Sequence, residues 1–226
     1  MKFSSVATIA AVACISLVAW SSSQVSHAGD GRDISSVNGS VKASPGESYD
    51  SLSAVNGDVL VARGASANEA RTVNGDVTLD TDAKVGKAST VNGSLRIRDG
   101  ANVEHEASTV NGSIELGKSA RIGGDVSTVS GDIDLNGAEV TGRLETRNGD
   151  IALTDGARVH GGIHIKKKND NSWSWGDDDG ERHPVKVRIC ATCVVEGELR
   201  FDRAVELNVE PGAKIGKVIG DKVTRR

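Results

Sequence analysis

Apolar and polar residues alternate in short runs along most of this chain, and each run follows the same turn. Asp76-Val77-Thr78-Leu79, Ser94-Leu95-Arg96-Ile97, Ser113-Ile114-Glu115-Leu116 and Asp132-Ile133-Asp134-Leu135 share a period of two, the pattern of a strand with one face buried. The turn is Val-Asn-Gly-Asp/Ser, at Val37, Val55, Val73, Val91 and Val110, with Val129-Ser130-Gly131-Asp132 and Arg147-Asn148-Gly149-Asp150 as variants. Successive turns start 18, 18, 18, 19, 19 and 18 residues apart. A fixed short period is the mark of a solenoid of stacked units.

Asn-Gly tolerates positive φ and bends an extended chain at low steric cost. It is also a hairpin signal. A meander, however, needs a turn at each end of every strand, whereas this turn recurs once per period. A second bend recurs beside it: Ala83-Lys84-Val85-Gly86, Ala101-Asn102-Val103, Ala120-Arg121-Ile122-Gly123, Ala138-Glu139-Val140 and Ala157-Arg158-Val159. Each period therefore predicts three short strands and three bends, one coil of an all-β, single-stranded β-helix, each coil ~4.8 Å above the last.

Equivalent residues then stack. Asn38, Asn56, Asn74, Asn92 and Asn111, continued by Ser130 and Asn148, predict a hydrogen-bonded amide ladder. Val77, Leu79 and Val85 with their equivalents predict aliphatic columns inside, in keeping with only 3% aromatic residues. The threonines before each turn (Thr72, Thr90, Thr109, Thr128, Thr146) are expected to face outward beside an inward valine.

The first 28 residues stand apart. Lys2, an apolar run from Val6 to Trp20 and the small-residue site Ser26-His27-Ala28 read as a secretory signal peptide. The competing readings are an uncleaved anchor and, at Cys14, a lipoprotein cut. The domain reading is a signal at 1–28, a solenoid at 29–221 and a mobile basic tail at 222–226. Val37 to Pro45 reads as a weak capping coil, with residues 29–36 leading in. The mature part has no second stretch apolar enough to span a membrane. Without Lys2 it carries 26 basic and 31 acidic residues, a balance of −5. A mildly acidic chain with no basic cluster near aromatics is not a nucleic-acid binder.

The period breaks once, at 166–184, where KKKNDNSWSWGDDDGERHP intervenes, and resumes at Val195 to Phe201. An insertion in a repeat protein falls on one face, often the binding face. Trp173 and Trp175 stand in this polar stretch, where no core requires them, and exposed tryptophan is a contact residue for partners and sugars. Packing against the solenoid flank is the other reading of both. Asp177, Asp178 and Asp179 are either further contact residues, a calcium set or a solvated acidic run. Their spacing matches no EF-hand. The residues after each turn glycine (Asp58, Asp76, Asp132, Asp150 and the serines) lack the calcium nonapeptide and read as bend-satisfying groups.

Cys190-Ala191-Thr192-Cys193 in an exported chain reads first as a local disulfide. Zinc would need two more ligands, and a redox role would need a helix N-terminus. His105, His160, His164 and His183 have no carboxylate at a motif spacing. No nucleophile elbow, phosphate loop or metal helix occurs, so no catalytic residue, cofactor or metal is assigned.

The V-N-G-[DS]-[VI]-x-[LI] units and A-[KR]-[VI]-G bends resemble the bacterial adhesin-like β-strand-repeat family and the bactofilins, polymer-forming β-helical proteins. The resemblance covers about Ser35 to Lys217 apart from the insertion and implies a right-handed β-helix. It transfers no catalytic residue. The leading expectation is an exported, non-enzymatic structural or adhesin-like solenoid in the periplasm or at the cell surface. It would present the Trp/Asp stretch to an envelope polysaccharide or surface protein. The alternatives are a scaffold that self-associates through its ends and a carbohydrate-active β-helix enzyme.

Overall fold

The computed structural model describes residues 32–167, 184–220 and 222–225. All regular structure in them is β-strand, and every strand pair is parallel with a neighbour one coil away. A ten-stranded sheet contains one strand from each coil, from Val41–Ala43 to Val223–Arg225. The chain is thus a β-solenoid of ten coils. We call this sheet the first face.

The other sheet has 16 strands and forks. In the early coils, Ser48–Asn56, Ser66–Asn74 and Lys84–Asn92 are single nine-residue strands that bend round a corner. Lys84–Asn92 then pairs with two strands of the next coil, Asn102–Val103 and Ala107–Ser108. The cause is one added residue. Two residues separate Val85 from Ala88, whereas three separate their partners Val103 and Ala107. From there each coil has three walls. The second face runs from Asn102–Val103 to Lys214–Ile215, and the third from Ala107–Ser108 to Val218–Ile219.

The interior is tiled by register. Val41, Val59, Val77, Leu95, Ile114, Ile133, Ile151, Val187 and Leu207 form one buried column. At the bend after the first face, Ala65, Ala83, Ala101, Ala120, Ala138 and Ala157 are fully or almost fully buried, and Cys193 takes the same place. Small side chains suit this bend because the backbone folds over them, and each further buried methylene contributes about 0.8 kcal/mol elsewhere along the core.

The threonine column corrects the expectation from sequence. Thr72, Thr90, Thr109, Thr128 and Thr146 point inward, only 1–4% exposed, and Val73, Val91, Val110 and Val129, which follow four of them, turn to the outer side and are half-buried. An inward hydroxyl has to be satisfied. Thr72, Thr90, Thr109 and Thr128 donate to the carbonyls of Gly57, Gly75, Gly93 and Gly112 in the preceding coil, at 2.7–3.1 Å. At these four positions valine would leave a part-buried carbonyl without its donor.

Both ends extend further than expected. Asp33–Asn38 already pairs with Ser48–Asn56, so the first coil starts before Val37. The basic tail is not loose, because Val223–Arg225 pairs with Val205–Leu207 as the tenth rung of the first face.

Candidate functional site

The Asn-Gly corner, between the third face and the next first-face strand, is where the insertion is seated. Its amides form a ladder. Asn56, Asn74, Asn92 and Asn111 each donate from Nδ2 to the Oδ1 of the asparagine one coil earlier, at 2.9–3.1 Å. Ser130 and Asn148 continue the column through backbone bridges. The turn glycines allow coils to stack this closely. A Cβ on Gly93 would lie 1.9 Å from the carbonyl oxygen of Gly75.

The residue after each glycine forms a second ladder. The backbone N–H of Asp76, Ser94, Asp150 and Lys186 donates to a side-chain oxygen of Asp58, Asp76, Asp132 and Asp150, at 2.7–2.9 Å. Ser40 and Ser113 do the same for Asp58 and Asp132 at 3.2 and 3.3 Å. These oxygens bind backbone N–H groups. Among the described residues no group of three His, Cys, Asp or Glu side chains is placed to hold a metal ion.

The last of these bonds fixes where the insertion sits. Lys166 stacks on the third face, its N–H bonded to the carbonyl of Thr146 at 2.9 Å, in the row of Arg147. On the far side, Lys186 occupies the row of Asp150, and Val187 pairs with Ile151. Residues 167–185 therefore replace only the Asn-Gly step of one coil. Trp173, Trp175, Asp177, Asp178 and Asp179 lie outside the described residues, as do residues 1–28, where a signal peptide is expected, with Cys14.

Around that corner the third face changes character. Its outward column reads Ser89, Ser108 and Ser127 in earlier coils, then Glu145, His164 and Arg200. Glu145 and His164 are only 15% and 17% exposed. His164 Nε2 lies 2.7 Å from Asp202 and its Nδ1 3.8 Å from Glu145. Glu145 also meets Lys166 and, at 3.5 Å, Arg143. Arg200 turns to Asp202 at 3.1 Å. Partial burial, the largest single effect, raises the Asp202 carboxyl, but the hydrogen bonds and charges of His164 and Arg200 together outweigh it and hold the group below its ordinary range. Arg203, in the row of Asn148, donates to Asn148 Oδ1 and to the Arg147 carbonyl, both at 2.7 Å.

A parallel arrangement stands across the glycine corner, on the second face. His160 places Nδ1 2.9 Å from Glu196 and Nε2 3.0 Å from Glu139. The hydrogen bonds to Glu196 and Glu139 raise the His160 pKa, and the one from His160 chiefly lowers that of Glu139. Neither histidine cluster was foreseen. The partners lie 21, 36 and 38 residues away, and only the coil spacing, interrupted by the insertion, relates them.

Cys190 and Cys193 lie at disulfide distance, S–S 2.14 Å and Cα–Cα 5.1 Å. They staple the bend between the first and second faces, where the Cys193 N–H also bonds to the Cys190 carbonyl at 3.0 Å. An open groove of about 590 Å³ lies along the early coils, lined by polar groups that include Asp50, Asn68, Lys84 and Glu104. No helix among the described residues is long and apolar enough to cross a membrane. Compared with protein-family profiles, curated proteins and solved structures, the chain matches none.

Proposed function

We propose that this chain is an exported, non-enzymatic structural solenoid of the adhesin-like kind. It presents residues 168–183, with Trp173, Trp175, Asp177, Asp178 and Asp179, to an envelope polysaccharide or a surface protein. The observation that carries this reading is the economy of the insertion. Register is kept on both sides of it, by Lys166 over Arg147 and by Lys186 over Asp150, so the segment is dispensable for the core. A segment that the fold does not need, rich in tryptophan and acid, is best explained by contact with something else. The cysteine pair at disulfide distance supports an oxidising compartment and hence export.

The test replaces 168–183 by a short turn and, separately, Trp173 and Trp175 by Ala. Co-sedimentation with isolated envelope polysaccharide and binding to intact cell surfaces are then measured. The expected outcome is loss of binding in both variants at an unchanged melting temperature. Full binding by the shortened protein would reject the reading.

One observation favours a second reading, a scaffold that associates end to end. Among the described residues, Asp33–Asn38 and Val223–Arg225 each pair on one edge only, and unpaired strand edges invite stacking. Sedimentation velocity and electron microscopy over a range of concentrations decide it. Filaments of uniform width would favour the scaffold, and a discrete elongated particle would exclude it.

A further inference from the structure

His160 and His164 belong to one coil, the coil that leads into the insertion. Each reaches a carboxylate of the coil before and a carboxylate of the coil after. His160 sits between Glu139 and Glu196 on the second face, and His164 between Glu145 and Asp202 on the third. We propose that His160 bolts the insertion-bearing coil to both its neighbours as an imidazolium bridge, and that this coil loosens when it loses its proton, with the His164 contacts as a second tie between the same three coils.

The argument begins with donors. A neutral imidazole has one N–H and one lone pair, whereas the imidazolium has two N–H groups. Both nitrogens of His160 lie within 3.0 Å of carboxylate oxygens, and a carboxylate offers only acceptors. Neutral His160 would turn a lone pair toward one of them. Only the cation satisfies both contacts, and it adds attraction to two negative groups. For His164 the contact with Asp202 is a hydrogen bond and that with Glu145 an ion pair.

The other charges nearby modify this without reversing it. On the second face, Arg121 bonds to Glu139 at 3.5 Å and shares its charge, and Arg158 stacks over Glu139. On the third face, Arg200 stacks directly over His164 and turns its guanidinium to Asp202. Lys166 and Arg143 draw on Glu145. The His160 bridge is therefore the stronger bolt, consistent with the raised pKa of His160.

The sign follows from linkage. A histidine whose folded pKa exceeds its unfolded value contributes its full stabilisation below the unfolded value, ordinarily 6.5. That contribution is lost as pH rises through the higher folded value. Glu139 and Asp202, both lowered from 4.5 and 3.8, set the acid side, where stability falls as pH drops through their folded values. The His160 bridge is thus complete in mildly acidic solution and fails on the alkaline side.

Hydrogen exchange of the full mature chain, corrected for the intrinsic pH dependence of exchange, tests this. Amides of Arg158–Ile165 are compared with those of Ser66–Asn74 between pH 6 and 8.5. The ratio of their protections should fall with rising pH, by about tenfold for each unit by which the folded pKa of His160 exceeds its unfolded one. The fall should be absent in H160Q. The same pH course in wild type and variant would overturn the proposal. Should the variant not fold, the wild-type protein still decides by NMR. The His160 imidazole should titrate above the ordinary histidine range, and titration at or below that range would refute the bridge.

Discussion

Arg203 reaches back over two coils to Asn148. Its Nη1 donates to Asn148 Oδ1 and to the carbonyl of Arg147, both at 2.7 Å, 55 and 56 residues earlier in the chain. The coil between them has given up its Asn-Gly step to the insertion, so the arginine closes the corner that the ladder would otherwise have filled. Hydrogen bonds from a charged donor contribute about 1.5–3 kcal/mol. R203A should lower stability by that amount, read as a lower urea midpoint at unchanged slope. An unchanged midpoint would mean the corner is held by something else.

The threonine column separates two substitutions of equal shape. Thr90 Oγ1 donates to the Gly75 carbonyl at 2.9 Å, but Thr146 Oγ1 is buried without a hydrogen-bond partner among the described residues. T90V should cost about 1–3 kcal/mol by leaving the carbonyl unsatisfied. T146V removes a hydroxyl that has nothing to lose and should be neutral or stabilising. Thermal melts of the two variants, side by side, would expose an error in the assigned orientation, since outward threonines would both be silent.

Glycines of the same chain should differ for steric reasons. At Gly93 a Cβ would stand 1.9 Å from the Gly75 oxygen, with backbone on the other coil that cannot yield. At Gly64 nothing lies within 4 Å, and only its φ of +66° resists a side chain. G93A should cost roughly 3–5 kcal/mol, in the range of the most damaging single changes, and G64A about 1 kcal/mol. Equal costs by chemical denaturation would contradict the close stacking of the corner.

Asp134, in the outward column of the first face, carries a carboxyl pushed above its ordinary range by burial first and then by Asp132, Glu115 and Asp150. A carboxyl with a raised folded pKa destabilises the fold once ionised. The penalty is absent below its unfolded pKa and grows as pH rises through the folded value. D134N should therefore raise the melting temperature at pH 7 and leave it unchanged near pH 3. A gain that persists at acid pH would point to packing instead.

Much of this architecture is legible in the sequence because a solenoid converts sequence spacing directly into contact. Asn56 meets Asn74 because they are 18 residues apart, and the same rule places Val59 on Val77. The inward threonines are hidden because the turn motif reads as starting with an inward valine. The strand in fact keeps its alternation one residue further, with Ala70 and Thr72 in and Arg71 and Val73 out. The tail was misread because Val223-Thr224-Arg225 is too short and too charged to declare itself, although register on Val205–Leu207 gives it a partner. The histidine bridges stayed hidden for another reason. Glu196 lies 36 residues from His160 because the insertion lengthens one coil, so the ordinary period of 18 would place it two coils on rather than one.

The side-chain ladders all point the same way. Asn74 donates back to Asn56, the Asp76 N–H back to Asp58, and Thr72 back to the Gly57 carbonyl. In each case the later coil brings the hydrogen and the earlier coil holds the oxygen. A coil that has closed thus offers its successor a row of waiting acceptors, while its own turn N–H groups look forward for theirs, as the Gly57 N–H does to the Asn74 carbonyl. A chain delivered N-terminus first, whether from a ribosome or through a membrane pore, would find those acceptors in place at every step, and each new coil would in turn complete the backbone bonds of the one before. The side-chain ladders have a polarity, and it runs in the direction in which the chain is made.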